Sequence, residues 1–307
     1  VTGSYTSFYA RFTTSLPPIV QKIDQMTNIA FFVYLATLPD PRKSKSVFFI
    51  RLLIAVIIVL FGQRSDIVMT IIVICIYCIL YENLHGIPYA IIRRRWYIYA
   101  LSIVPFMLVL LEFIMYYRDG KVYSFGNVYE SIKNVFASLG GSVNVIGFGF
   151  ERANGFPDGK LYSLGNVIDF LTKNVITRSI FGTPVYRGNS VEMALYGNQF
   201  AHAITYLVKP KAYLAGQGMG SSYIAEVFHD FGYIGIALVN VIYGVILTRA
   251  NKLQKEDFVM NAITIVSLYN ILYAPRGPAD SFISAYLNIT FIATLFSIYG
   301  FSLILKR

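Results

Sequence analysis

The stretch YLVKPKAYLAGQGMGSSYIAEVFHDFGYIGI, Tyr206 to Ile236, decides how the chain is read. It starts in a polar-aromatic run, passes a glycine-rich turn at Gly216 to Gly220, and continues into an apolar helix. It therefore joins two solvents. Behind it lies a long polar segment, Arg118 to Phe231; ahead lies Tyr233 to Thr248, apolar enough for lipid. Glycines let the backbone turn sharply. Ser221 or Ser222 is of the type that caps a helix N-terminus, whose free N–H groups could face an anion. Glu226 falls about one turn into that helix. The alternative is a re-entry turn before a capped helix, with no ligand. A dinucleotide loop does not fit, because no strand precedes the glycines and no βαβ unit surrounds them.

Composition agrees with a lipid solvent. Of the 307 residues, 56% are hydrophobic and only 14% are charged, against about 25% charged in soluble domains; mean hydropathy is +0.57. The net charge of +10 raises the question of nucleic acid. The basic residues instead fall between apolar runs, as membrane topology requires, so no nucleic-acid partner is expected. Cys75 and Cys78 lie inside an apolar run without further Cys or His nearby. They read as buried packing residues, and no metal or cofactor is expected. No signal peptide is visible at Val1, and Val1 to Lys22 reads like a loop between spans, so the chain is expected to be a fragment lacking N-terminal spans.

A helix needs about 20 apolar residues to cross a hydrocarbon core of about 30 Å. Seven segments come near this: Thr27 to Leu38, Val47 to Gly62, Ile67 to Tyr81, Tyr97 to Tyr117, Tyr233 to Thr248, Phe258 to Ala274 and Phe282 to Leu305. The second and third read as a hairpin. With all seven, the basic linkers at Arg42–Lys45, Arg93–Arg95, Arg249–Lys255 and Lys306–Arg307 share one side, the cytoplasmic one. The fold class predicted is thus all-α: a single polytopic membrane domain, 1–307, with about seven spans and a large external helical loop, 118–231. Two tight turns are external with it, GQRSD at Gly62 to Asp66 and APRGPADS at Ala274 to Ser281.

Within the long segment, Ile132, Val135, Phe136, Leu139 and Val143 share one helical face, and Leu164, Ile168, Leu171 and Val175 share another. The glycine-rich text from Gly140 to Gly159 reads as loop. Ser190 to Val208 reads as a helix, with Asn198, Gln199, His202 and Tyr206 on one face. That stripe suits a general base or a sugar-binding surface, or else is a solvated face. External arginines are Arg64, Arg152, Arg178, Arg187 and Arg276. Solvation explains arginines in general. It explains Arg64 and Arg276 less well, because their turns lie near the membrane plane.

Four features together resemble the Wzy-type polysaccharide polymerases, polytopic enzymes that join repeat units of O-antigen or capsule. They are the FGQRSD turn, the layout of hairpin, basic linker with Trp96, span and large external loop, the run from His202 to Ile236, and the turn APRGPADSF. The third is the most specific. The resemblance implies a metal-independent glycosyltransferase in the bacterial cytoplasmic membrane, using undecaprenyl-diphosphate-linked oligosaccharides on the outer face. A growing glycan would pass to a hydroxyl of an incoming lipid-linked unit. His202 and Glu226 are then the catalytic candidates. Arg64, Arg276, Arg152, Arg187 and Arg178 would meet the diphosphate, and Gln199, Ser221 and Ser222 would meet sugar or phosphate. Implied partners are membrane lipid, flippase and chain-length regulator proteins. Rival readings are an O-antigen ligase, a transporter or flippase of lipid-linked sugars, and a purely structural subunit.

Overall fold

The structure, a computed structural model, describes residues 18–60, 64–86, 129–130, 133, 140, 143–186, 188–250, 253–254 and 257–305. Among them there are helices and turns and no strand. Three helical stretches are long and apolar enough to cross a membrane: Ser65–His85, Tyr223–Arg249 and Phe258–Arg276. Met26–Ala36 and Thr290–Phe301 are apolar but shorter. The expected span at Tyr97 to Tyr117 lies outside the described residues, as do Ile132, Val135, Phe136 and Leu139 of the expected helical face. Phe282 to Leu305 is not continuous: a four-residue helix, Ser281–Ser284, precedes Ile289–Leu305. At the break the bonds tighten to i→i−3, with Tyr286 N–H donating to the Ile283 carbonyl at 3.1 Å and Leu287 N–H to the Ser284 carbonyl at 3.2 Å.

The chain forms two compact units, Val1–Leu139 with Ala250–Val266 and Thr290–Arg307, and Gly140–Arg249 with Ser267–Ile289. In the first, helices α1 (Pro18–Ala36), α2 (Pro41–Leu60) and α3 (Arg64–His85) come in sequence, and α2 packs along α3 as a hairpin. One ion pair pins it. Arg51, 4% exposed, donates from Nη2 to Asp66 Oδ1 at 2.7 Å, and its guanidinium stands 5.9 Å from the Phe31 ring centre. Phe31, Phe48 and Tyr77 continue the contact edge to face. Cys78 is buried in this packing, whereas Cys75 is exposed, so only one of the two thiols is a packing residue.

In the second unit the segment read as loop, Gly140 to Gly159, holds a helix, α4 (Val143–Glu151). Its glycines answer a packing demand rather than breaking the chain. A Cβ on Gly149 would meet the Ala225 Cβ at 3.2 Å and the Phe200 ring at 3.3 Å, so glycine lets α4 approach its neighbours. After it in the chain come α5 (Gly165–Thr172), α6 (Val175–Phe181), α7 (Val191–Tyr196), α8 (Phe200–Val208), α9 (Pro210–Leu214) and α10 (Tyr223–Ala250), then α11 (Phe258–Tyr273), which from Ser267 belongs to this unit, α12 (Ser281–Ser284), and α13 (Ile289–Leu305), which from Thr290 belongs to the first. Ser190 to Val208 is therefore two helices, parted at Gly197–Gln199. The break sends the Asn198 amide to Asp169 Oδ1 at 2.7 Å, off the stripe expected for it.

Val145, Phe156, Tyr162, Phe200, Ala203, Ile204 and Ala225 form one buried cluster, which fixes α4 and α8 against the start of α10. Burial of such side chains contributes about 1.5–3 kcal/mol each. Within α10, Gly232 alone is non-helical (φ 61°, ψ −154°) and divides the helix at the boundary expected between external segment and span. Beyond it Tyr233, Ile234, Leu238 and Val241 are exposed, an apolar surface that suits lipid better than water.

Two glycines separate packing from propensity. A Cβ on Gly165 would fall 1.9 Å from the Asn198 carbonyl oxygen, whereas one on Gly147 meets nothing within 4 Å. Gly165→Ala should cost roughly 1–3 kcal/mol and lower the melting temperature of the detergent-solubilised protein. Gly147→Ala, in open helix, should raise it or leave it unchanged.

Candidate functional site

The site grows from the turn before α10. Gly216 (φ 92°) and Gly220 (φ 81°) occupy the left-handed region that glycine enters without strain. Between them Met219 donates its N–H to Thr205 Oγ1 at 3.1 Å, which ties the turn to α8. Neither serine caps α10 through its side chain. Ser221 donates its hydroxyl to Glu226 Oε1 at 2.5 Å, and Ser222 Oγ is buried without a partner. The Ser222 carbonyl accepts from Glu226 N–H as the first bond of the helix. Glu226, 1% exposed, accepts at Oε2 from the Ala279 N–H at 2.7 Å. Its two oxygens thus join the glycine turn to the APRGPADS turn.

Beside this carboxylate lies a small pocket of about 30 Å³. Asn166 and Gly165 come to it from the start of α5, Gln199 from the break before α8, Ser221 and Glu226 from α10's entry, and Pro278 from the arginine turn; Tyr162, Phe200 and Ala201 complete the wall. Two more acids hold that wall. Asp280 accepts from Asn166 Nδ2 at 2.7 Å and from Val167 N–H at 2.9 Å. Burial pushes its carboxyl above the ordinary carboxylate value, and these hydrogen bonds pull it partly back. Asp230, one turn beyond Glu226 on α10, accepts from the Ser163 hydroxyl at 2.6 Å and from the N–H groups of Ser163 and Tyr162 at 2.7 and 3.2 Å. It also meets His229 Nδ1 at 3.0 Å. The segment 162–167 is thereby gripped by a carboxylate at each end.

Of the residues predicted from sequence, the structure brings Glu226, Ser221 and Gln199 to one pocket. Ser222 is buried directly behind them in the chain. His202 lies on α8 with its Nδ1 2.9 Å from the Tyr213 hydroxyl, which itself donates to the Ser190 carbonyl at 3.2 Å; the ring does not line the pocket. Arg276 is exposed two residues before Pro278, and Arg152 and Arg178 are exposed elsewhere in the same unit. Arg64 opens α3 in the other unit, its side chain outside the described set, and Arg187 is also outside it. Sequence reading missed Asp230, Asp280 and Asn166. Asp230 had a signal, since it follows Glu226 by four residues on one helical face. Among the described residues no three His, Cys, Asp or Glu side chains gather as a metal set would.

The family model for O-antigen polysaccharide polymerase Wzy matches residues 1–307, the whole chain. The chain belongs to that family. No curated relative and no solved structure matches it. As a Wzy family member it is a membrane protein of polysaccharide biosynthesis, a glycosyltransferase-type polymerase acting on lipid-linked oligosaccharide repeat units. A Wzy site must hold a sugar hydroxyl, and the pocket's amides, serine hydroxyl and carboxylate are groups that hydrogen-bond hydroxyls.

His202 gives a pH test of this arrangement. Burial holds its pKa below the ordinary 6.5, against a smaller opposing pull from Asp169. The folded state thus favours the neutral ring. That contribution to stability is complete above the ordinary value and is lost as pH falls through it. Wild-type protein should lose more melting temperature than His202→Gln on going from about pH 7.5 to about pH 5.5. Parallel losses would show that His202 carries no such linkage.

Proposed function

We propose that this Wzy family member transfers a growing glycan from undecaprenyl diphosphate to a hydroxyl of an incoming lipid-linked repeat unit, with Glu226 as general base. The observation that carries the proposal is a buried carboxylate, oriented by Ser221 and Ala279, that still forms part of a pocket wall. A base must be held within hydrogen-bond reach of the proton that it removes. Fixed donors on both oxygens hold Glu226 in that way.

In the step proposed, the acceptor oxygen attacks the anomeric carbon while the bond from that carbon to the diphosphate oxygen breaks. The acceptor proton passes to Glu226, and the diphosphate leaves on its lipid with the electron pair. Asn166, Gln199 and Ser221 orient the acceptor. Arg276, on the turn that also supplies Ala279, offsets charge on the leaving group. Arg64, Arg152, Arg178 and Arg187 are further candidates for the diphosphate. Ser222 supports the turn from behind, and His202 positions α8 through Tyr213. No metal is assigned a part.

The seven-span arrangement, with basic linkers cytoplasmic and the site at the outer face of the inner membrane, belongs to the same reading. The distribution of Arg and Lys between apolar runs supports it. Flippase and chain-length regulator proteins are its proposed partners.

Glu226→Gln keeps the size of the side chain and removes the base, so elongation of lipid-linked repeat units by the purified protein should fall by about 10²-fold or more. Arg276→Ala should leave membrane insertion intact and shorten the glycan ladder in cells to single units. Full-length but unattached chains in a strain lacking the protein would point to a ligase instead. Parental elongation in Glu226→Gln would remove the base assignment.

A further inference from the structure

A second place in the Gly140–Arg249 unit has the features of an anion site. Lys160 and Lys173 both donate to the Tyr196 carbonyl, each at 3.0 Å, so their ammonium groups stand at most twice that distance apart. One carboxylate, Asp169, pairs with Lys173 at 2.9 Å, and its oxygen is shared with the Asn198 amide. Both lysines are half-buried, although lysine heads ordinarily reach for water. Burial, and then the charge of Lys173, lower the pKa of Lys160. One ammonium at the last carbonyl of α7 would serve as a helix cap. The second adds like-charge repulsion with no further acceptor.

Two aromatic rings flank the pair. Tyr186 and Tyr196 have centroids 5.9 Å apart, Lys173 Nζ lies 5.6 Å from the centre of Tyr186, and Tyr196 is 57% exposed. None of these four side chains lines the Glu226 pocket. An open tyrosine shelf beside one uncompensated positive charge suits a ring that carries one negative charge and an apolar face. A diphosphate would bring more negative charge than the site offsets, next to Asp169.

We propose that Lys160, Lys173, Tyr186 and Tyr196 form a glycan subsite for a carboxylate-bearing sugar, separate from the transfer pocket. The inference rests on the family's action on glycans and not on the role of Glu226. The probe is trigalacturonate, compared with its carboxyl-reduced neutral form, binding to the full chain in lipid nanodiscs. Wild type should bind the acid at least about tenfold more tightly, with an advantage that shrinks as salt rises. Lys160→Gln should bring the acid to the neutral affinity, Lys160→Arg should restore the preference, and Tyr196→Ala should weaken both forms. Equal affinities in wild type, or an undiminished preference in Lys160→Gln, would overturn the subsite. So would inorganic pyrophosphate binding more tightly than trigalacturonate and losing that affinity in Lys160→Gln, which would make it a phosphate site. Repeating the titration with Glu226→Gln separates the two proposals, because this subsite should be unchanged when transfer is lost.

Discussion

A carboxylate that leaves water must be given partners, and Glu226 meets that demand with one near group and one far group. Ser221 stands five residues before it and Ala279 stands 53 residues after it. A buried acceptor without a donor costs about 1–3 kcal/mol, and more for a charged group. The glycine turn before α10 and the turn after α11 therefore have to meet. Their meeting is what gives the pocket its wall. The peptide of residue 279 is held on both sides, since the Tyr243 hydroxyl donates to the Ala279 carbonyl at 2.7 Å. Tyr243, Ile271 and Ala274 pack beneath that contact, so apolar burial of the two helices and the polar bridge enforce one register.

The other two acids extend the same logic. Asp230 and Asp280 spend their oxygens on backbone N–H groups and on short polar side chains of 162–167. Carboxylates that accept from N–H groups form some of the stronger neutral-donor contacts in proteins. Here they fix the 3₁₀ turn at Tyr162–Leu164 and the first turn of α5 that follows it. The aromatic cluster around Phe156, Phe200 and Tyr162 backs that segment with stacked and edge contacts. Polar grip on one side and ring packing on the other leave the wall little freedom to move.

The chain's helical, lipid-solvated character was legible from composition and period, because both record which solvent each residue meets. So was the link between Glu226 and its serine turn, which is local in sequence. Several readings failed, three of them within the second unit and for physical reasons. Gly140 to Gly159 looked like loop because glycine lowers helix propensity, yet Gly149 is there to let α4 touch Ala225 and Phe200. Ser190 to Val208 looked like one helix because its apolar period runs on across Gly197–Gln199. The capping role expected of Ser221 went unfilled because a buried carboxylate is a stronger claimant for a hydroxyl than a helix N–H. Asp280 stayed hidden altogether: its partners, Asn166 and Val167, lie more than a hundred residues away in sequence. Arg51 was passed over inside an apolar run, although its pairing with Asp66 holds the first hairpin.

Charge is sorted within the second unit. The pocket is lined by amides, a hydroxyl and one carboxylate, with no basic side chain among the described residues. Cations of that unit stand outside it, among them Arg276, Arg152 and Arg178, which are exposed, and Lys160 and Lys173 on the Tyr196 carbonyl. That layout suits the proposed transfer, in which a base works where neighbouring positive charge does not hold its proton off and a leaving diphosphate needs positive charge nearby. Mixing the two would blunt both. Gly232 adds a third separation, because the half of α10 that carries Glu226 and Asp230 ends there and a half with exposed apolar side chains begins. One helix can thus present carboxylates to a polar pocket and apolar side chains to its outer surface without mixing the two sets.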